Sequence, residues 1–222
     1  MRKLVLTTAA VAAAICLVGC LKKVVPLPIP ETQDTLPVIT YDTLTDTRDG
    51  QTYKTVKIGT QTWMARNLNY KTENGSWCYE DSISYCKKYG RLYDWNTAKK
   101  ACMNGWHLPK RQEWDNLETS VADSMIAGKT LKSKNGWNNQ YDGSNGNGTD
   151  IYGFSALPGG FRYSNGVFQF LYAGGYGLWW TAEEDYSGNA YGRGMYYTYD
   201  SLYENYGDKS HGRSVRCVAD TP

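Results

Sequence analysis

All eight Trp, all four Phe and all but one of the nineteen Tyr fall between residues 49 and 219. A buried core needs such side chains, so the fold must be built from that stretch of about 170 residues, a length suited to one domain with a substantial interior. The stretch before it, residues 20–48, has no Trp or Phe and holds four of the seven prolines, Pro26, Pro28, Pro30 and Pro37, among Thr, Asp and Val. Proline fixes φ and donates no amide hydrogen, so residues 20–48 read as an extended tether up to ~85 Å long at about 3.1 Å per residue.

Residues 1–19 have a different grammar. Arg2 and Lys3 precede an apolar run from Leu4 to Val18, and Leu17-Val18-Gly19 leads into Cys20. The run is too short, with the wrong flanks, for an ordinary membrane span, and it reads as a signal peptide. Small residues before a cysteine resemble the lipobox, in which the cysteine is acylated and becomes the new first residue. Cys20 is therefore the expected lipid attachment site and the membrane the expected partner, through N-terminal acyl chains such as palmitate. More than one chain makes such an anchor durable. Lys22 and Lys23 would sit against lipid headgroups, and Leu21, in place of an aspartate, points to the outer membrane.

Removing residues 1–19 takes Arg2 and Lys3 from the 24 basic residues, leaving 22 against 22 acidic ones and a formal charge of zero. Neutralising many phosphates needs clustered Lys and Arg, so nucleic acid is not an expected partner.

Within residues 49–219, Tyr53, Val56 and Ile58 lead through Gly59-Thr60 to Gln61–Met64 and predict a hairpin. Asp94 to Met103 predicts a helix stopped by Asn104-Gly105, glycine being able to adopt the left-handed conformation that ends helices. Pro109 introduces a second helix, with Trp114, Leu117 and Val121 at helical spacing. Asn135 to Asp150 is a Gly-, Asn- and Asp-rich loop, and a loop this long is usually functional or mobile. Leu178 to Ala182, Ala190 to Tyr199 and Gly212 to Val218 have the β-branched and aromatic content of strands. Helices early and strands late predict an α+β domain.

With Cys16 removed and Cys20 acylated, Cys78, Cys86, Cys102 and Cys217 remain. In an exported chain they imply disulfides, in one of three connectivities. Spacing favours Cys78 with Cys86, both between Gly75 and Gly90, which leaves Cys102 for Cys217. Zinc prefers CxxC or histidine spacings, and the only histidines are His107 and His211. Cys217, with His211 six residues before it, has the makings of a nucleophile and base only if it is unbridged.

Two groups of residues suggest ligands. Asp142, Asn145, Asn147 and Asp150 place oxygen atoms in glycine-rich backbone, chemistry that calcium uses, although no glutamate completes an EF-hand; a solvated Asn-Gly turn accounts for the same residues. Trp179, Tyr197, Tyr199 and Tyr203 belong to a run of flat rings with polar tips, suited to a ligand surface. His107, between Trp106 and Leu108, reads as a buried structural residue, and Glu183, Glu184 and Asp185 as a solvated turn. No nucleophile and base stand at a defining spacing, so no catalytic residue is named.

Asp49-Gly50-Gln51-Thr52-Tyr53, Trp63-Met64-Ala65-Arg66-Asn67-Leu68, Tyr89-Gly90-Arg91-Leu92-Tyr93 and Gly105-Trp106-His107-Leu108-Pro109 with Glu113-Trp114 resemble the Fibrobacter succinogenes major paralogous domain. So do Gly153-Phe154-Ser155-Ala156-Leu157-Pro158-Gly159-Gly160, Trp179-Trp180-Thr181 and Ser214-Val215-Arg216-Cys217-Val218. The resemblance covers residues 46–219 and implies an exported, often lipid-anchored protein without implying an activity. Gly105 to Pro109 with Glu113-Trp114 is also similar to C-type-lectin-like and formylglycine-generating-enzyme folds. That likeness implies a single lectin-like domain and a bridge from helix to last strand, here Cys102 to Cys217.

These readings describe an envelope lipoprotein that presents a binding or adhesion module for an extracellular polysaccharide. The alternatives are an enzyme of the formylglycine-generating or related oxidoreductase type, which needs a redox-active cysteine pair, and a structural envelope protein.

Overall fold

The computed structural model describes residues 37–164, 170–185 and 188–220. The signal segment, Cys20 and the tether as far as residue 36 lie outside the described residues.

The chain opens with β1 (Tyr41–Thr45), β2 (Thr52–Ile58), β3 (Gln61–Met64) and β4 (Ser76–Trp77). A mixed region follows: α1 (Ile83–Tyr89), β5 (Leu92–Tyr93), α2 (Trp95–Ala101), β6 (Trp106–His107), α3 (Arg111–Val121) and α4 (Ala127–Leu131). Strands complete it: β7 (Phe161–Arg162), β8 (Phe170–Leu171), β9 (Tyr176–Glu184), β10 (Asn189–Tyr196), β11 (Tyr203–Asp208), β12 (Arg213–Ser214) and β13 (Val218–Ala219). They form a five-stranded sheet in the order β1-β2-β3-β13-β6, a six-stranded sheet in the order β11-β10-β9-β12-β5-β4, and the pair β7-β8. All pairings are antiparallel except β12 beside β9. The domain is α+β, as the sequence predicts.

Local chemistry explains the elements read from sequence. In β2, Tyr53, Val56 and Ile58 are buried while Lys54 and Lys57 are exposed. Gly59 turns the chain into β3 with φ at 57°. Asp94 caps α2, its Oδ1 accepting from Thr97 N at 2.8 Å, which satisfies an amide that the first turn leaves open. That helix ends at Ala101, earlier than predicted, and Gly105 takes its positive φ of 80° in the turn that follows. In α3, Trp114, Leu117 and Val121 face inward.

Three readings need correction. Tyr41–Thr45, read as part of the tether, pairs along its length with β2 as an edge strand. The short helices α1 and α4 have no counterpart in the sequence reading. Gly212 to Val218, read as one strand, is split between sheets: Ser214 pairs with Trp179 and Leu92, whereas Val218 pairs with Trp63 and His107. The residues between them cross from one sheet to the other.

Two hydrophobic clusters fill the interior. In one, Trp114 packs against Trp63, Phe154 and Trp179 with ring centroids 5.0, 5.8 and 6.0 Å away. In the other, Trp180 joins Tyr53, Met64, Tyr93 and Trp95. Trp179 and Trp180 are neighbours on β9, so their side chains leave opposite faces, and each is fully buried in a different cluster.

Disulfides join Cys78 to Cys86 and Cys102 to Cys217. The first ties the turn before α1 to that helix. The second ties the end of α2 to the residue before β13, across a separation of 115 positions. Among the described residues no helix is long and apolar enough to cross a membrane.

Candidate functional site: an aromatic cleft

The register of β9, β10 and β11 gathers tyrosines that are distant in sequence. Tyr176 pairs across the ladder with Tyr196, and Gly194 with Tyr203. A Cβ on Gly194 would lie 2.3 Å from the Tyr203 ring, so the glycine is what lets that ring lie down along the sheet. The result is a stack of Tyr203 on Tyr196, with centroids 4.7 Å apart and planes 22° from parallel. Tyr176 meets Tyr196 edge-on at 4.0 Å, and Tyr172 lies 4.6 Å from Tyr176 with its plane tilted by 32°. Phe161 and Tyr163, from β7 and the residue after it, join them in lining a cleft of 330 Å3.

The cleft's polar groups are Asn205, His211 and Arg213. Arg213 is 5% exposed, and its guanidinium lies 4.1 Å from the Trp180 ring centroid. Its Nη1 donates to Asn205 Oδ1. Two glycines make room for it, because a Cβ on Gly192 or on Gly207 would come within 2.3 or 2.2 Å of its terminal nitrogens. Among the described residues no carboxylate forms an ion pair with it. Burial pushes its pKa down to about 10. Burial also raises the Tyr203 phenol, and burial with the neighbouring Tyr196 raises Tyr176 to about 12, so both stay protonated near neutrality. His211 meets the Tyr163 ring edge-on at 4.7 Å; burial lowers its pKa, Asp208 opposes that, and the Arg213 charge adds to it.

Of the four aromatics read as a ligand surface, one lines this cleft. Tyr203 does; Tyr199 is 62% exposed beside it, 5.9 Å from Tyr196. Tyr197 turns away, against Tyr141 and the first core cluster. Trp179 must be withdrawn as a ligand residue: it is 0% exposed and its indole N–H donates to Asn67 Oδ1 at 2.9 Å. The sequence reading missed Tyr172, Tyr176, Phe161, Tyr163 and Arg213. Only strand register reveals Tyr176 opposite Tyr196.

The four residues read as calcium ligands lie in different settings. Asp142 is exposed whereas Asp150 is buried, so the two do not share an environment. Each of the four side chains has an oxygen committed to a local bond: Asp142 Oδ1 accepts from Ser144 N, Asn145 Oδ1 from Asn147 N, Asn147 Oδ1 from Trp137 N, and Asp150 Oδ1 from Ser155 N. Among the described residues no cluster of three His, Cys, Asp or Glu is suited to a metal. The surrounding loop is packed, with Trp137 buried and its Nε1 donating to Ala156 O at 3.1 Å.

A second concavity, of 500 Å3, surrounds His107. The side chain is one-third exposed, where the sequence suggested burial. Its Nδ1 lies 2.5 Å from Asp220 Oδ1 and its Nε2 2.9 Å from Glu113 Oε1. These contacts make the histidine a clamp between β6, α3 and the residue after β13. Glu183, read as part of a solvated turn, accepts from Arg111 N at 3.0 Å at the start of α3.

Fold and cleft together define a disulfide-stapled α+β domain with an open aromatic groove and, among the described residues, no free thiol. The Fibrobacter succinogenes major domain model matches residues 56–219, and the chain belongs to that family. No curated protein and no solved structure shows significant similarity to it.

Proposed function

We propose that the protein is a lipid-anchored envelope protein whose domain binds an extracellular carbohydrate in the tyrosine cleft. The observation that carries this reading is the convergence of Tyr172, Tyr176, Tyr196 and Tyr203 around one groove, with the amide of Asn205 and the imidazole of His211 beside them. Pyranose rings offer C–H faces that lie against aromatic rings and hydroxyls that need donors and acceptors. A groove walled by rings and edged by a few polar groups supplies both. The Cys20 motif and the proline-rich segment after it support presentation of the domain away from a membrane, with the outer membrane favoured by Leu21.

The test is retention of the detergent-solubilised full-length protein on insoluble polysaccharides and on a glycan array. Binding that weakens in Tyr176→Ala and Tyr172→Ala variants of unchanged melting temperature supports the reading. Absence of retention on every glycan, or retention untouched by both substitutions, overturns it.

A further inference from the structure

The cleft contains an electrostatic asymmetry that neutral sugars leave unanswered. Arg213 brings a full positive charge to the lining without an ion-pair partner among the described residues. Its Nε is buried with no acceptor. Asn205 turns its Oδ1 to Arg213 Nη1, so its amide nitrogen faces elsewhere, and that nitrogen is also buried with no acceptor. Both atoms are donors, and a third orphan of the lining, the Tyr203 hydroxyl, can donate or accept. A buried cation without a counter-charge and a buried donor without an acceptor are each destabilising, and proteins seldom keep two such features side by side unless something completes them.

The sequence accommodates this arrangement at the expense of sheet packing. Gly192 and Gly207 stand on β10 and β11, where β-branched or aromatic residues would strengthen the ladder, and both are positions where a Cβ would collide with the guanidinium. Trp180 supports the other side of the guanidinium through its ring face. Arg213 is thereby held rigidly at the cleft with its charge unspent.

We propose that the natural ligand of this cleft is an acidic saccharide, a uronate-bearing polysaccharide, whose carboxylate is the counter-ion of Arg213 and accepts from Asn205. This rests on the reading that the cleft binds carbohydrate. A carboxylate has the one negative charge and the two oxygens that match one guanidinium and two unfilled donors, and a planar guanidinium fork is suited to it. Asn205 and Arg213 line the same cleft as Tyr176 and Tyr172, so a carboxylate would meet them while its sugar ring rests on the tyrosines.

The experiment compares polygalacturonate, the same polymer after carboxyl reduction to neutral galactan, and dextran sulfate, each titrated against the detergent-solubilised full-length protein. The expected result is about tenfold or tighter binding of polygalacturonate over its reduced form, equivalent to about 1.4 kcal/mol. Arg213→Gln is expected to abolish that preference. Should Arg213→Gln not fold, titration of the unaltered protein with free galacturonate against free galactose reads the same preference. Equal binding of the acidic and reduced polymers overturns the carboxylate assignment and leaves carbohydrate binding standing. Dextran sulfate binding as tightly as polygalacturonate overturns the choice of a carboxylate over a sulfate ester. Binding of none of the three polymers, with no glycan retained on the array, overturns both readings.

Discussion

Arg216 and Asn67 are joined at the centre of the domain: the guanidinium Nε and Nη2 both donate to Asn67 Oδ1, at 3.1 and 2.8 Å. Trp179 donates to the same oxygen, while Arg216 Nη1 donates to Met64 O and Phe154 O and its Nη2 to Ser155 O. Asn67 Nδ2 donates to Tyr89 O and Ser214 Oγ. Arg216 and Asn67 are both 0% exposed. Backbone carbonyl dipoles thus do much of what a carboxylate would do for this cation, with Asp150 acting on it from farther away. Four of the motifs shared with the family, around Asn67, Phe154, Trp179 and Arg216, meet here. They encode an internal polar hub and not a reactive centre.

Asn67→Ala removes the acceptor of three buried donors at once. The expected loss of stability is about 3 to 5 kcal/mol, because a buried charge is left partly unanswered. Urea titration followed by tryptophan fluorescence measures it, and a loss below about 1 kcal/mol, the value of an ordinary hydrogen bond, would mean that the hub has another acceptor. Arg216→Lys should not rescue the fold, since an ammonium cannot reach the same fan of acceptors.

The two disulfides should differ in strength. Removing the bridge between Cys102 and Cys217 as a double alanine variant releases a loop of 115 positions, worth about 4 to 5 kcal/mol in the chain-entropy model. The bridge between Cys78 and Cys86 closes only 8 positions and should contribute about 2.5 kcal/mol. Equal losses in denaturant titration would contradict the entropic account. Non-reducing peptide mapping checks the pairing itself.

Lys132 is fully buried, its Nζ donating to Tyr199 O at 2.6 Å, and burial pushes its pKa down to about 8 from the ordinary 10.5. Between these values the unfolded chain binds more protons than the folded one, so stability should rise with pH from about 8 towards 10. Below about 8 both states are charged and the penalty is constant. Lys132→Met should flatten that slope in thermal melts taken across the interval. An unchanged slope would place the titrating group elsewhere.

Aromatic substitutions should sort by location. Trp179→Ala opens a cavity beside the buried Trp114 indole and should cost about 3 to 5 kcal/mol of stability. Tyr172→Ala, at a site 53% exposed, should leave the melting temperature nearly unchanged while weakening polysaccharide binding. The weakening should be about two- to tenfold, from one ring contact of about 0.5 to 1.5 kcal/mol. A Trp179→Ala variant that stays folded but loses binding would return that residue to the ligand surface.

Cys20→Ser should move the protein from the membrane fraction to the soluble one. Mass analysis of the unaltered protein should find an acylated Cys20 as its first residue. An unmodified amino terminus there would remove the anchor.

The hairpin of β2 and β3 and the helix α3 were legible because one face of each is buried and the other wet, so periodicity records the structure directly. β1 left no such trace: four of its five residues are exposed, Leu44 being the exception, and the strand follows a proline-rich stretch. β9 misled for the opposite reason. Leu178 to Thr181 are all buried, so no polar alternation marks a face, and Trp179 looked as available as any ring. At the cleft, Tyr203 was found from aromatic density, whereas Arg213 was missed. Its importance comes from what it lacks, a counter-charge, and that is a property of three-dimensional neighbours.

The strand order β1-β2-β3-β13-β6 puts Val218–Ala219 between the early hairpin and β6. The ribosome therefore makes nearly all of this sheet's partners before it makes the strand that joins them. A nascent chain can form its hairpin and helices, but β3 and β6 have no common neighbour until residue 218 is free. Pairings between such distant parts of a chain form slowly. The domain consequently stays open until residues 214–218 are placed, so the seating of Arg216 in its hub, the bridging of Cys217 and the closing of the sheet depend on one short segment. A chain without residues 214–218 would lose all three at once.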